Sequence, residues 1–302
     1  MIPVLFDIGP LKVYSYGLML GIAFLVGSYF VSIEARRKFE GKIDAGKLAS
    51  TITIIAIVFG IVGAKILFLL EHWDTFLRDP IGEAFSPGGL TWYGGFVLAI
   101  AVLVVYLRRR KIPILKVLDT LAIALMIGYG VGRLGCHFSG DGDYGFPTTL
   151  PWGTIYKEGT AKPSVHLADY FTRHPEERAA WSYDSLRVIR GGLDRRGYPY
   201  TRFDEVTPLH PAPVYELLLG LVGFVILWVL RTRVRPDGML FATYLMLAAV
   251  FRFGIEFIRL NPRLALGMTE AQLFAVAVFL TGLIGAIVLS VQVRRRATVK
   301  SR

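Results

Sequence analysis

Apolar residues in this chain gather into seven long runs, near residues 13–33, 48–70, 90–107, 117–138, 212–230, 238–258 and 272–292. Each run is about 18–25 residues, the length a helix needs to cross roughly 30 Å of hydrocarbon. The pattern predicts an all-α integral membrane protein with seven transmembrane helices. Most polar segments between the runs are short. The exception, 139–210 between the fourth and fifth runs, predicts one large extracytoplasmic insert on a single seven-span domain covering 1–302. Composition agrees, since 54% hydrophobic content is too high for a soluble domain of this length.

Charge placement sets the expected orientation. The formal net charge is +11, which would suit a nucleic-acid binder if the basic residues formed a patch. They sit instead at the ends of apolar runs: five Lys/Arg in 34–47, five in 108–116, three in 231–235 and five in 294–302. Short loops on the other side offer only Arg78, Arg259 and Arg263. The positive-inside rule then puts the N-terminus outside, the C-terminus in the cytoplasm and the insert outside, and it removes the case for nucleic acid. Nine Lys/Arg against ten Asp/Glu make the insert charge-balanced. Its aromatics, Trp152, Tyr156, Tyr170, Phe171, Trp181, Tyr183, Tyr198 and Tyr200, suit a folded cap or an interfacial segment. With Cys136 the sole cysteine, no intrachain disulfide forms. Residues 1–12 lack a basic leader region, so the first run is expected to be retained.

Three basic residues remain inside the runs: Lys65, Arg133 and Arg252. An arginine at mid-span costs about 2.5–3.5 kcal/mol on insertion scales and so marks a functional site by default. Glycines flank Arg133 in Gly128-Tyr129-Gly130-Val131-Gly132-Arg133-Leu134-Gly135, where absent side chains allow a bulky ligand to approach. Arg252, Glu256 and Arg259 form an i, i+4, i+7 stripe that reads either as a structural ion pair or as part of a site. Lys65 either snorkels outward or takes part. Two arginines from different helices suit a phosphodiester, because the guanidinium fork binds phosphate bidentately and keeps its proton. Tyr93, before Gly94 and Gly95 at the start of the third span, is an interfacial aromatic or a hydroxyl aimed at the reacting centre. His210 has the titration range of a base, and Tyr215-Glu216 follow it into the fifth span. Cys136 reads as a packed residue. No metal-ligand spacing, phosphate-binding loop or serine elbow is present.

In order along the chain, Tyr16-Gly17-Leu18-Met19, Gly94-Gly95, Gly132-Arg133-Leu134-Gly135 leading to Gly140, Asp141 and Gly145, His210-Pro211 with Tyr215-Glu216, and Phe251-Arg252 with Glu256-Phe257-Ile258-Arg259 resemble the prolipoprotein diacylglyceryl transferase family. The resemblance spans nearly the whole chain. It implies transfer of the diacylglyceryl group of phosphatidylglycerol to the lipobox cysteine thiol of a preprolipoprotein signal peptide, at the outer face of the bacterial cytoplasmic membrane. Glycerol phosphate is released, and no metal or organic cofactor is required. It also implies that Arg133 and Arg252 hold the lipid phosphate with support from Glu256 and Arg259, while Tyr16 and Gly145 shape the cavity. The family pattern carries His where this chain has Tyr93, Asn where it has Cys136, and Glu where it has Asp141, with one extra residue here before Gly145. The thiol proton is then left to His210, His137, Asp141 or water, with Tyr93 either assisting or only orienting. An anion or phospholipid transporter, or a lipid-binding protein of the same architecture, is the competing expectation.

Overall fold

The computed structural model describes residues 1–8, 11–86, 89–148, 150–163, 165–167, 208–264 and 266–300. The insert aromatics Tyr170, Phe171, Trp181, Tyr183, Tyr198 and Tyr200 lie outside the described residues.

A hairpin precedes the first span. β1 (Val4–Ile8) pairs antiparallel with β2 (Leu11–Tyr14), and Ile2 N–H donates to the Phe138 carbonyl at 3.0 Å. The apolar run beginning at residue 13 therefore starts as strand, and helix α1 (Ser15–Phe39) follows. It ends on Arg36, Arg37 and Lys38, cations that complement the carbonyl end of a helix and carry it past the apolar run. Next come α2 (Ala45–Glu71), α3 (Trp73–Arg78) and α4 (Pro80–Phe85). The two short helices fall where hydropathy predicts only loop. Asp79 caps α4 by accepting from Gly82 N–H at 3.0 Å, with Pro80 in the first turn. The chain continues through α5 (Trp92–Arg109), α6 (Ile114–Ser139), α7 (Ala212–Leu230), α8 (Met239–Ile255) with a 3-10 turn at Glu256–Ile258, and α9 (Glu270–Lys300). Seven of these helices are long and apolar enough to span a membrane.

Contacts divide the chain into two compact units, Met1–Gly27 with Leu125–Arg302, and Ser28–Ala124. In the Ser28–Ala124 unit, α2 and α5 meet backbone to backbone. A Cβ at Gly94 would lie 2.3 Å from the Gly63 carbonyl oxygen, and one at Gly95 would lie 2.3 Å from that of Gly60. Small residues are what permit such an approach between spans. Val31, Ala35, Leu48, Leu107 and Val117 form its core, beside a Lys38–Asp119 ion pair at 2.6 Å.

In the other unit, α6 and α7 approach closely where Gly130 and Gly220 meet; a Cβ at Gly220 would lie 3.1 Å from the Gly130 Cα. About one turn from that contact on each helix stand Arg133 and Glu216. The glycine contact thus sets the distance across which the two charges pair.

Candidate active site

Arg133 projects from α6, Glu216 from α7 and Arg252 from α8, while Glu256 and Arg259 come from the 3-10 turn and its exit. Asp143 joins them from the loop after α6. Arg133 Nη1 pairs with Asp143 Oδ2, and its Nε lies 3.1 Å from Glu216 Oε2. Arg252 reaches Glu216 Oε1 at 3.0 Å and Glu256 Oε2 at 2.9 Å. Arg259 Nη2 takes the second Asp143 oxygen, Oδ1, while its Nη1 lies 3.6 Å from Glu216 Oε2. Glu216 is the hub. It also accepts from the Tyr129 hydroxyl at 2.5 Å, and the Tyr129 ring lies 4.9 Å beneath the Arg133 guanidinium. Glu256 is fixed by Asn261 and by Thr269, whose hydroxyl donates at 3.0 Å.

Burial varies across the cluster in a way that bears on access. The Glu216 and Glu256 side chains are 2% and 0% exposed and that of Arg259 7%, whereas those of Arg133, Arg252 and Asp143 are 19%, 24% and 25% exposed. The cluster is therefore part-open at Arg133, Arg252 and Asp143. Burial alone would raise the Asp143 pKa, but the charges of Arg259 and Arg133 outweigh it and hold the carboxyl at about 2. Neighbouring Asp141, an exposed residue, is shifted the other way, by desolvation and by the charge of Asp143.

Gly145 links the loop to the arginine exit. Its N–H donates to the His210 carbonyl at 2.9 Å, Phe146 N–H donates to the Ile258 carbonyl at 2.9 Å, and Gly145 bridges to Arg259. A Cβ here would lie 2.3 Å from the Ile258 oxygen, so no side chain fits. Alongside opens a mostly apolar cavity of ≈ 610 Å³ lined by His137, Trp152, His210, Tyr215, Leu218 and Ile258 among others. Trp152 Nε1–H donates to the Tyr215 hydroxyl at 2.7 Å, and His210 Nδ1 lies 3.2 Å from the same oxygen. Because indole can only donate, the Tyr215 proton is free to point at His210. Desolvation lowers the His210 pKa from its usual value near 6.5, so the ring is neutral at pH 7.

The structure thus brings together Arg133, Arg252, Glu216, Glu256 and Arg259, with His210, Tyr215 and Gly145 adjoining through the backbone. Tyr16, in the first turn of α1, backs onto Gly135 of α6, where an added Cβ would lie 3.2 Å from its ring. Within the other unit, Tyr93 is exposed beside Trp92, Gly94 and Gly95 pack α5 onto α2, and Lys65 donates to the Ser86 hydroxyl and carbonyl at 2.8 and 3.1 Å. Two members of the cluster escape the sequence reading. Asp143, not Asp141, is the arginines' partner, and its signal was its place two residues before Gly145. Tyr129 stands one turn before Arg133. Side-chain atoms of Cys136, Asp141 and Asp143 lie within 4.8 Å of one another, but Asp143 is already held by two arginines whose charge disfavours a cation.

Fold and site define a seven-span integral membrane protein with an arginine–carboxylate cluster set among its spans. Residues 3–288 match the family described as prolipoprotein diacylglyceryl transferase. A phosphatidylglycerol–prolipoprotein diacylglyceryl transferase of Fusobacterium nucleatum is 30% identical over 243 residues, 76% of each chain. Its namesake in Bordetella avium is 28% identical over 294 residues, 93% of this chain and 92% of the relative. That of Parasynechococcus marenigrum is 26% identical over 268 residues, 86% and 81% of the two chains. The chain belongs to the prolipoprotein diacylglyceryl transferase family.

Proposed function

We propose that this chain is a transferase that moves the diacylglyceryl group of phosphatidylglycerol onto the lipobox cysteine thiol of a preprolipoprotein. Family membership supports the reaction, and one observation carries the assignment of its site: three arginines from separate segments converge on shared carboxylates at the end of membrane spans. A lipid phosphate brought to Arg133 and Arg252 meets forked donors that keep their charge. The substrate thiolate attacks the glycerol carbon bonded to the phosphate oxygen; the C–S bond forms as the C–O bond breaks, and glycerol phosphate leaves with the bonding pair. The arginines stabilise charge as it grows on that leaving group.

The thiol proton passes to His210, through Tyr215. The hydroxyl oxygen of Tyr215 takes it and yields its own proton to Nδ1, a path that the 3.2 Å contact and the neutral imidazole support. Glu216 and Glu256 hold the forks of Arg133, Arg252 and Arg259 in register, Arg259 supports the other two at the phosphate, Gly145 and Tyr16 shape the cavity walls, and the ≈ 610 Å³ cavity admits the apolar peptide. Tyr93, its exposed ring edge-on to Trp92, orients a substrate rather than moving a proton.

The site faces the outer side, in the cytoplasmic membrane of a bacterium, with the N-terminus outside and the C-terminus inside. Support comes from the basic residues that close α1 and α5, Arg36, Arg37 and Lys38, and Arg108 and Arg109, at their inner ends. An anion transporter fits less well, since Arg133, Glu216 and Arg252 all stand near one end of their helices rather than along a path through them. The deciding experiment supplies labelled phosphatidylglycerol and a lipobox peptide in detergent: label on the peptide thiol supports the reading, and anion uptake into proteoliposomes with no peptide labelling overturns it. In a Cys136→Ser background, a cysteine at exposed Glu158 should react with an impermeant maleimide in intact spheroplasts; reaction only after lysis reverses the topology.

A further inference from the structure

A phosphate held by these arginines, the reading on which this inference rests, meets a charge problem. Arg133, Arg252 and Arg259 are paired with Asp143, Glu216 and Glu256, so the cluster is formally neutral before any lipid arrives. An entering phosphodiester would face as much negative as positive charge unless one carboxylate withdraws. Glu216 and Glu256 are in no position to do so. They are buried on helical segments, and each accepts further hydrogen bonds, from Tyr129 and from Asn261 and Thr269.

Asp143 differs on each count. It lies on a loop, its side chain is 25% exposed, and each of its oxygens holds one arginine, Oδ2 on Arg133 and Oδ1 on Arg259. That bridge has the form two oxygens of a phosphate would take. The loop leading to it contains Gly140 and Gly142 at φ +60° and +97°, a backbone conformation glycine adopts without steric cost. On the arginine side, Arg259 Nε and Nη1 are buried and make no hydrogen bond among the described residues, their carboxylate neighbours standing off at 3.9 Å on Glu256 and 3.6 Å on Glu216, so the guanidinium has donors that Asp143 does not use.

We propose that Asp143 is a resident counter-ion standing in for the lipid phosphate: the phosphodiester displaces it from Arg133 and Arg259, and its return helps expel glycerol phosphate after transfer. Exchanging one anion for another avoids leaving two arginines unpaired, which would be costly in a part-buried site. Asp143 is thereby a positioning residue that sets lipid affinity and product release without touching the reacting carbon.

The test uses the full chain in phosphatidylcholine nanodiscs. Calorimetric titration with glycerol phosphate and steady-state transfer from phosphatidylglycerol are compared for the wild type, Asp143→Asn and Asp143→Glu. Asp143→Asn should bind glycerol phosphate about tenfold more tightly, as expected when a competing charge-assisted pair is removed. Its KM for phosphatidylglycerol and its kcat should both fall, the second because product is retained. Asp143→Glu, which keeps the competing charge, should bind glycerol phosphate more weakly than Asp143→Asn. Unchanged or weaker binding by a normally unfolding Asp143→Asn protein overturns the proposal, and Asp143→Ser gives the same comparison if the Asn variant fails to insert. Arg133→Ala separates the two levels. Loss of glycerol phosphate binding there upholds the phosphate reading whatever Asp143 does, and retained binding removes that reading and this proposal together.

Discussion

Two of the buried charge groups among the described residues are built differently. In the Ser28–Ala124 unit, Lys38 and Asp119 are sealed, with side chains 3% and 1% exposed and 2.6 Å apart. In the other unit, three arginines share three carboxylates, and the cluster is part-open on the side of Arg133, Arg252 and Asp143. A sealed pair contributes to folding and exchanges nothing with its surroundings. A part-open cluster of forked cations keeps geometry for an anion while its own acids hold the charges in place. Burial alone does not mark a functional charge in a membrane protein; on the proposed reading, burial with an exchangeable partner does.

The sharpest break between the two regions should come from Arg133→Ala and Arg252→Ala. Each is expected to lower transfer at least about a thousandfold while leaving insertion intact, because the lost donor acts on charge that grows in the transition state. Lysine should rescue poorly, as a point charge does not replace a fork. Next, His210→Gln should cost about 10²–10⁴-fold, the usual contribution of a positioned base. With its pKa lowered by desolvation, His210 must be neutral to accept a proton, so wild-type kcat/KM should hold from pH 7 down past 6.5 and fall only below the lowered value. The variant should lack that acid limb, and an unchanged limb would remove His210 from the proton path.

The sealed pair should respond in the opposite sense. Asp119→Ala leaves a buried ammonium and is expected to destabilise the protein by about 3–5 kcal/mol, read as a drop in thermal unfolding temperature, with transfer per folded molecule unchanged. Lys38→Met combined with Asp119→Leu should recover most of that loss, because well-packed apolar replacement of a buried pair is often neutral. Smallest of all, Tyr93→Phe should keep transfer within a few-fold of wild type; a loss of about a hundredfold would give its hydroxyl a proton-handling role.

Hydropathy made most span ends legible to within about three residues, because the length of an apolar run answers directly to bilayer thickness, while α1 and α9 continue as basic-ended helix well past their apolar runs, to Phe39 and Lys300. It failed where local hydrogen bonding overrides composition. Residues 13 and 14 read as helix but pair in the β1–β2 hairpin, and α3 and α4 read as loop but are short helices, the second capped by Asp79. In the site, the arginines were visible because charge in an apolar run is conspicuous. Their partners were less so. Asp143 meets Arg259 across 116 positions of sequence, and nothing in a run of Gly140-Asp141-Gly142-Asp143 says which carboxylate turns inward. The resemblance drew attention to Asp141; packing of Gly145 against Ile258 and His210 presents Asp143 instead.

The central claim is that the arginines act on the charge of the departing phosphate, and a cycle between enzyme and lipid tests it most directly. Transfer is measured for the wild type and Arg133→Ala, each with phosphatidylglycerol and with its neutral phosphate methyl ester. The wild type should prefer the charged lipid by about a hundredfold or more, and the preference should collapse towards unity in Arg133→Ala, a coupling of roughly 2–3 kcal/mol. An undiminished preference in a well-inserted Arg133→Ala protein would contradict the account.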